Sequence, residues 1–226
     1  MEGQTCAVVG AGPGIGLAVA RRFAREGFRI ALVARRAEAL NGYVAALRAS
    51  GITAAGYAAD LAELDTLPAV FARLAAELGA PDVLIYNAVA VTRGTPSELP
   101  PAQLLRDLTV SVVAAMSCAQ QVLPAMRERG RGTILLTGGG FALNAYPPMT
   151  SLAVGKAALR NLAWNLAVEL EPQGIRATTV TILGEVKDGT LFDPERVAES
   201  YWRLHAQTAK PWSRELVYNE AYASTL

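Results

Sequence analysis

The chain has 226 residues, 52% of them hydrophobic and 18% charged, which is long and apolar enough for a sizeable globular core. Its 21 Lys and Arg residues nearly balance its 20 Asp and Glu residues, so no global field attracts nucleic acid or an acidic membrane. Two cysteines and one histidine are too few for the usual zinc cage. The first residues lack the pattern of a secretory signal. We expect a cytoplasmic protein without a metal, a nucleic-acid partner or a membrane span.

Short apolar runs of strand length alternate with helical stretches along most of the chain. The strand-like runs cover residues 6–12, 29–35, 53–60, 82–88, 132–138 and 175–184, and residues 214–219 are expected to form a last strand. Because these runs do not alternate with polar residues, they predict a parallel sheet buried by helices on both faces. The predicted fold is α/β: one Rossmann domain over residues 1–226, doubly wound around a mainly parallel sheet of about seven strands. Residues 185–226 are expected to form a divergent substrate lid and C-terminal segment.

A glycine-rich loop, GAGPGIG at residues 10–16, follows the first strand and opens the first helix. Gly10, Gly14 and Gly16 form the pattern GxxxGxG, with Ile15 where the commoner GxGxxG pattern would place a glycine. Such glycines let the backbone approach a pyrophosphate, and the helix N-terminus offers free N–H groups to the anion. Tight turns also use glycine for steric reasons alone. The position after strand one favours dinucleotide binding.

Two arginines, Arg35 and Arg36, end the second strand. A chain that binds NAD usually carries an acid there, which accepts a hydrogen bond from the ribose 2′-hydroxyl. Arginine instead offers planar donors for a 2′-phosphate, so we expect NADP and consider NAD less favoured. The alternative is a solvated pair at a strand end.

Taken together, these motifs resemble the short-chain dehydrogenase/reductase family, up to about Gly184. Asp60-Leu61 is similar to the family's pair that contacts adenine, DVLIYNAVA is similar to its Asn-Asn-Ala-Gly segment, and KAALRNLAWNLAVELEPQGIRATTV is similar to its fifth helix and sixth strand. Besides the glycine loop and the two arginines, the resemblance implies cofactor contacts by Asp60, Leu61, Asn87, Ala88, Lys156 and Val186. In that family the lysine lowers the pKa of a catalytic tyrosine and binds the nicotinamide ribose.

The rest of the catalytic set implied by the resemblance is missing. Leu152 stands four residues before Lys156, where the family has its tyrosine proton donor. Gly139 occupies the position of the family's serine, and Ser111 that of its catalytic asparagine. Asp188 replaces a threonine near the nicotinamide phosphates, which a carboxylate would repel slightly. Lys156 and Ser111 are therefore kept as catalytic candidates.

Two further side chains are considered as replacement proton donors. Tyr146, in the loop LNAYPPM, is a candidate catalytic residue, and its alternative reading is a loop aromatic packed beside prolines. His205 lies in a helix expected from Asp193 onward, which could also cover the site as a lid. A lone histidine beside aromatic residues more often packs with one hydrogen bond than donates a proton.

The main hypothesis is a divergent NADP-dependent oxidoreductase that acts on an unknown small molecule. Without the tyrosine, reduction of an imine or a conjugated double bond is more plausible than reduction of a simple ketone. One alternative is a non-catalytic protein that binds NADP(H) as a sensor or partner subunit, and another is a non-redox lyase or isomerase. The resemblance also implies a homodimer or homotetramer, which fits the many apolar residues of the helices around residues 110–119 and 162–170.

Overall fold

Seven parallel strands form the centre of the computed structural model, which describes residues 3–226. The strands are β1 (Thr5–Val9), β2 (Arg29–Ala34), β3 (Ala54–Ala58), β4 (Val83–Tyr86), β5 (Gly132–Thr137), β6 (Ile175–Ile182) and β7 (Glu215–Tyr218). Their order across the sheet is β3-β2-β1-β4-β5-β6-β7, and every neighbouring pair is parallel. The predicted doubly wound α/β fold with seven strands is confirmed, although most strands are shorter at their carboxyl ends than their apolar runs.

Eight α-helices connect and cover these strands in the described residues. They are α1 (Ile15–Ala24), α2 (Ala37–Ala49), α3 (Leu67–Leu78), α4 (Pro101–Leu108), α5 (Ala114–Arg129), α6 (Thr150–Leu170), α7 (Pro194–Ala206) and α8 (Glu220–Ala223). Buried residues of α1, α2 and α7 share one apolar cluster, and those of α3, α5 and α6 share the other. The two clusters lie on opposite faces of the sheet because alternate residues of β1 belong to each: Cys6 and Val8 to one, Ala7 and Val9 to the other.

Between α4 and α5 the helix continues through a π-helical turn, Thr109–Val113. A π turn leaves the regular hydrogen-bond ladder locally unpaired. Tyr86, at the end of β4, donates its hydroxyl to the Val110 carbonyl within this turn. The continuous helix Pro101–Arg129 is long and apolar enough, by length and composition only, to cross a membrane. The core helix of a soluble protein passes the same test, and here Ala114, Ala115 and Cys118 are fully buried in the core of the domain.

The C-terminal part contributes to the core as well as to the site. In α7, Val197, Ala198 and Tyr201 are fully buried, and β7 forms an edge strand beside β6. The helix considered as a lid is therefore packed within the domain, against α1. The loop of residues 183–193 is the part of the C-terminal segment that borders the carboxyl edge of the sheet.

Candidate functional site

The glycine loop after β1 packs closely against the loop after β4. Gly10 has a φ of +85°, and a Cβ there would lie 2.4 Å from the backbone nitrogen of Ala88. Asn87 donates its side-chain amide to the Gly10 carbonyl at 3.0 Å, which holds the two loops together. A Cβ on Gly16 would meet the Gly10 carbonyl oxygen at 2.9 Å. Glycine is therefore required at both positions by close backbone contacts.

Gly14 serves a different purpose in the same loop, because a Cβ there would meet no protein atom within 4 Å. It is the N-cap of α1, and no side chain caps that helix. The first amides of α1 are thus available to an anion, and the space above the loop is open. These features fit a bound pyrophosphate.

One cavity of about 610 Å³ lies at the carboxyl ends of β1, β2 and β3. Arg35, Arg36, Asp60 and Leu61 line it, and both arginines are exposed without an ion-pair partner in residues 3–226. Asp60 accepts a hydrogen bond from the backbone of Ala62 at 3.0 Å, which fixes its carboxylate. The predicted adenosine-binding residues are brought together here.

A second cavity, of about 1030 Å³, lies beside the first, and Gly12, Asn87 and Val89 line both. Its wall includes Ile15 of the glycine loop and Lys156 of α6. The two cavities together form one groove along the carboxyl edge of the sheet, across the point between β1 and β4 where the strand order reverses. Nucleotide ligands of open α/β sheets bind at such points.

Lys156 is buried in the wall of the second cavity, and its ammonium donates to the Thr137 carbonyl at 2.6 Å. Burial lowers the pKa of Lys156 to about 8 because the charged form loses hydration. The Thr137 hydroxyl in turn hydrogen-bonds the hydroxyl of Tyr201 at 2.7 Å, which fixes the end of β5. The lysine is thus held in place by the strand end it faces.

The cavity around Lys156 is poor in proton donors. Leu152 lines it as a half-buried aliphatic side chain. Gly139 also lines it, and a Cβ there would lie 3.7 Å from Cε of Lys156, an ordinary contact distance. Tyr146 contributes a phenol to the wall; it is 50% exposed and its ring lies 5.6 Å from that of Phe141. Of the two side chains predicted as replacement proton donors, Tyr146 lines this cavity and His205 does not.

Ser111 lies in the π-helical turn and contacts the loop after β4. Its hydroxyl accepts from the Ala90 amide at 3.2 Å and donates to the Ala90 carbonyl at 3.3 Å. Ser151 does the same to the next part of the loop, accepting from the Thr92 amide at 3.0 Å and donating to its carbonyl at 3.1 Å. The two serines clamp this loop, whose residues Ala90 and Thr92 line the first cavity. Ser111, predicted as a catalytic candidate, thus holds the loop in place and lines neither cavity. The similar role of Ser151 was not predicted from the sequence.

Asp107, one turn before Ser111, is a buried acid at the first cavity that was not predicted as a site residue. It is 3% exposed, lines the first cavity and accepts from the Gln103 side chain at 3.0 Å, and its second carboxylate oxygen has no partner. Nothing in the sequence around Asp107 indicates that this carboxylate is buried.

The residues around the C-terminal segment separate into two groups. Val186 lines the second cavity, as predicted, whereas Asp188 is exposed and outside its wall. His205 packs against Phe23 and Trp202, and its Nδ1 lies 3.0 Å from the hydroxyl of Thr133 near the start of β5. Burial lowers the pKa of His205 to about 4, so this imidazole is a neutral packing group away from the groove.

The chain is similar in sequence to known oxidoreductases. A family model described as short chain dehydrogenase matches residues 4–190. The oxidoreductase asL5 of Sarocladium schorii is 30% identical over 207 residues, which are 92% of this chain and 81% of that protein. Dehydrogenase/reductase SDR family member 4 of Sus scrofa is 31% identical over 178 residues, 78% of this chain but only 63% of that protein.

Solved structures of similar proteins share the whole architecture. A metagenomic short-chain oxidoreductase in complex with NADP aligns with a TM-score of 0.87 and 28% identity, covering 96% of each chain. A variant of actinorhodin polyketide ketoreductase with NADPH aligns with a TM-score of 0.88 and 24% identity, over 96% of this chain and 95% of that one. The second likeness concerns the fold alone.

Proposed function

The chain belongs to the short chain dehydrogenase family, and we propose that it is an NADP-dependent oxidoreductase that reduces a small molecule without the family's usual tyrosine proton donor. One observation carries this proposal: a continuous groove runs from the two exposed arginines at the end of β2 to the buried Lys156. Each end of the groove has polar groups suited to one end of a dinucleotide.

The residues of the groove fit a nicotinamide cofactor in its usual direction. Asp60 and Leu61 would hold the adenine end, and the glycine loop would hold the pyrophosphate with the free amides of α1. Lys156 would bind the nicotinamide ribose, close to the Asn87 side chain that already ties the two loops together. When bound, NADPH supplies a hydride. The solved relative with NADP at 28% identity supports the nicotinamide assignment.

Preference for NADP over NAD is assigned to Arg35 and Arg36. Both guanidinium groups are exposed at the first cavity and free to pair with a 2′-phosphate. Replacement of Arg35 by Asp should weaken NADPH binding about tenfold or more, and should improve NADH binding. Arg131→Asp makes the same charge change at an exposed residue outside both cavities and is the control. Equal NADPH affinities for the two variants would refute the phosphate assignment.

The substrate end of the groove limits the reaction. Leu152 cannot protonate an alkoxide, and loss of a general acid costs roughly 10² to 10⁴ in rate for a ketone. An iminium carbon accepts a hydride without needing a proton, and a conjugated double bond can take its proton at a carbon remote from this wall. We therefore assign the reaction to imines, iminium ions or enones.

The proposal is tested in two steps with the purified protein. Fluorescence titration with NADPH should show saturable binding, and Lys156→Met should weaken it. A panel of ketones, imines and enones is then followed through the loss of NADPH absorbance, with faster turnover expected for imines and enones than for ketones. Absence of saturable NADPH binding would refute the proposal outright.

A second candidate function is a binding protein for NADP(H) that senses the cofactor or assists another subunit. The apolar Leu152 beside an intact Lys156 favours it, since cofactor binding needs the lysine and not the tyrosine. Tight NADPH binding with no turnover over the whole panel would select this alternative.

Assembly as a homodimer or homotetramer is proposed from two exposed apolar faces. On the helix from α4 to α5 these residues are Leu105, Val113 and Met116, and on α6 they are Val154, Trp164 and Val168. Such patches mark interaction surfaces in soluble proteins. Light scattering after size-exclusion chromatography should give two or four chains for the wild type and one or two for Val168→Arg.

A further inference from the structure

Glu185 is a carboxylate in a cavity wall that is otherwise apolar or neutral apart from Lys156. Lys156 is buried, donates to the Thr137 carbonyl and forms no ion pair with Glu185. Glu185 is exposed, and none of the ion pairs or side-chain hydrogen bonds among residues 3–226 involves it.

The loop that carries Glu185 is short and well anchored. Just before it, the Leu183 amide donates to the Tyr218 carbonyl at 2.8 Å, and just after it the Lys187 amide donates to the Phe192 carbonyl at 3.2 Å. Gly184 lies against the Phe192 ring, where a Cβ would come within 2.4 Å of ring carbons. The backbone that carries Glu185 at the cavity wall is therefore held by β7 and by the rest of its own loop.

Aromatic rings share the cavity wall with this carboxylate. Phe141 and Tyr146 both line the cavity, their ring centroids lie 5.6 Å apart, and each side chain is more than a third exposed. Aromatic faces attract cations, and a carboxylate attracts them more strongly and repels anions. The three side chains together provide the chemistry of a site for an organic cation.

We infer that Glu185 selects a substrate with a positively charged nitrogen, so that the preferred substrates are iminium ions. The inference rests on the proposed function and narrows its substrate class. When bound, NADPH would supply a hydride to the carbon of the C=N⁺ bond, and the π electron pair of that bond would move to nitrogen, which leaves a neutral amine and the oxidised cofactor. No proton is transferred, which is consistent with Leu152 at the position of the missing donor.

The test measures binding of two bicyclic probes by calorimetry, with and without NADP⁺. One is N-methyl-1,2,3,4-tetrahydroisoquinoline, a cation at neutral pH that resembles the product, and the other is isochroman, its neutral oxygen analogue. The wild type should bind the amine more tightly. Glu185→Gln should weaken amine binding roughly fivefold, the size expected for a partly exposed ion pair, and leave isochroman binding unchanged. Glu128→Gln, an exposed acid on α5 outside the cavity, is the matched control and should change neither.

A kinetic measurement complements the binding data. With N-methyl-3,4-dihydroisoquinolinium as substrate, Glu185→Gln should raise KM about fivefold with little change in kcat, while cyclohexenone kinetics stay as in the wild type. The inference is overturned if the wild type shows no preference for the amine, or if Glu185→Gln affects both probes alike or neither. If NADPH fails to bind but the amine preference exists and depends on Glu185, the proposed function is refuted while the cation site stands.

Discussion

Replacement of Lys156 by Met should stabilise the cofactor-free protein in a pH-dependent way. Burial lowers the pKa of Lys156 from 10.5 to about 8. A lowered pKa means that the unfolded chain holds the proton more tightly, so the charged lysine destabilises the fold. A pKa difference of about 2.5 corresponds to on the order of 3 kcal/mol. This cost is fully present below pH 8 and disappears as the pH rises to 10.5.

The assay is urea unfolding of the wild type and Lys156→Met without cofactor, at several pH values from 7 to 10.5. The free energy of unfolding of the wild type, relative to the variant, should rise by on the order of 3 kcal/mol over that range. The comparison cancels other titrating groups and the constant loss of the hydrogen bond to Thr137. Lys210→Met, at an exposed lysine beside Trp212, is the matched control variant. A constant difference for Lys156→Met would refute the assignment of a desolvated, titrating lysine.

Three further predictions concern the same groove. Gly10→Ala should prevent stable folding because its Cβ would overlap the loop after β4. Gly14→Ala should fold normally but lose NADPH affinity about tenfold, because its Cβ would point into the open space above the loop. Equal effects of the two substitutions on folding and on NADPH affinity would contradict these separate roles. The double variant Leu152→Tyr with Gly139→Ser should raise the initial rate of ketone reduction about 10²-fold at unchanged NADPH affinity, because it restores the proton donor and Gly139 has room for a side chain. If the initial rate does not rise, the missing proton donor is not what limits ketone reduction. Ser111→Ala removes two hydrogen bonds to Ala90, so it should lower the free energy of unfolding by about 1–2 kcal/mol and weaken NADPH binding. Urea unfolding and NADPH fluorescence measure the two effects, and an unaltered free energy of unfolding would mean that the two hydrogen bonds do not stabilise the loop.

The fold could be predicted from local features because they report burial directly. Apolar runs such as RIALVAR correspond to β2, Arg29–Ala34, which is buried on both faces. Their carboxyl ends were overestimated by one to three residues, since the chain leaves the sheet at these ends to form loops. Arg35 could also be placed at the cavity, because parallel strands bring their carboxyl ends to one edge. The positions of Asp60 and Lys156 were implied by the resemblance to the short-chain dehydrogenase/reductase family.

The remaining features depend on contacts between distant segments, which spacing alone does not reveal. The π-helical turn has no distinct pattern in DLTVSVV, and its Val110 carbonyl is satisfied by Tyr86 from another element. In the sequence Ser151 is an ordinary polar residue at a helix start. In the structure it is only 1% exposed, and its hydroxyl hydrogen-bonds the backbone of Thr92. The position of His205 near the opposite end of β5 followed from the packing of α7, not from its neighbours in sequence.

Lys156 and Leu152 line the same cavity, one helical turn apart on α6, but they differ in their cost to the fold. Lys156 is buried at a cost on the order of 3 kcal/mol, which an apolar residue would avoid. A bound cofactor that hydrogen-bonds the amine would account for this cost. Leu152 carries no such cost and can supply no proton to a substrate. A cofactor held by Lys156, together with a cationic substrate that is held by Glu185 and needs no proton, would therefore explain both residues.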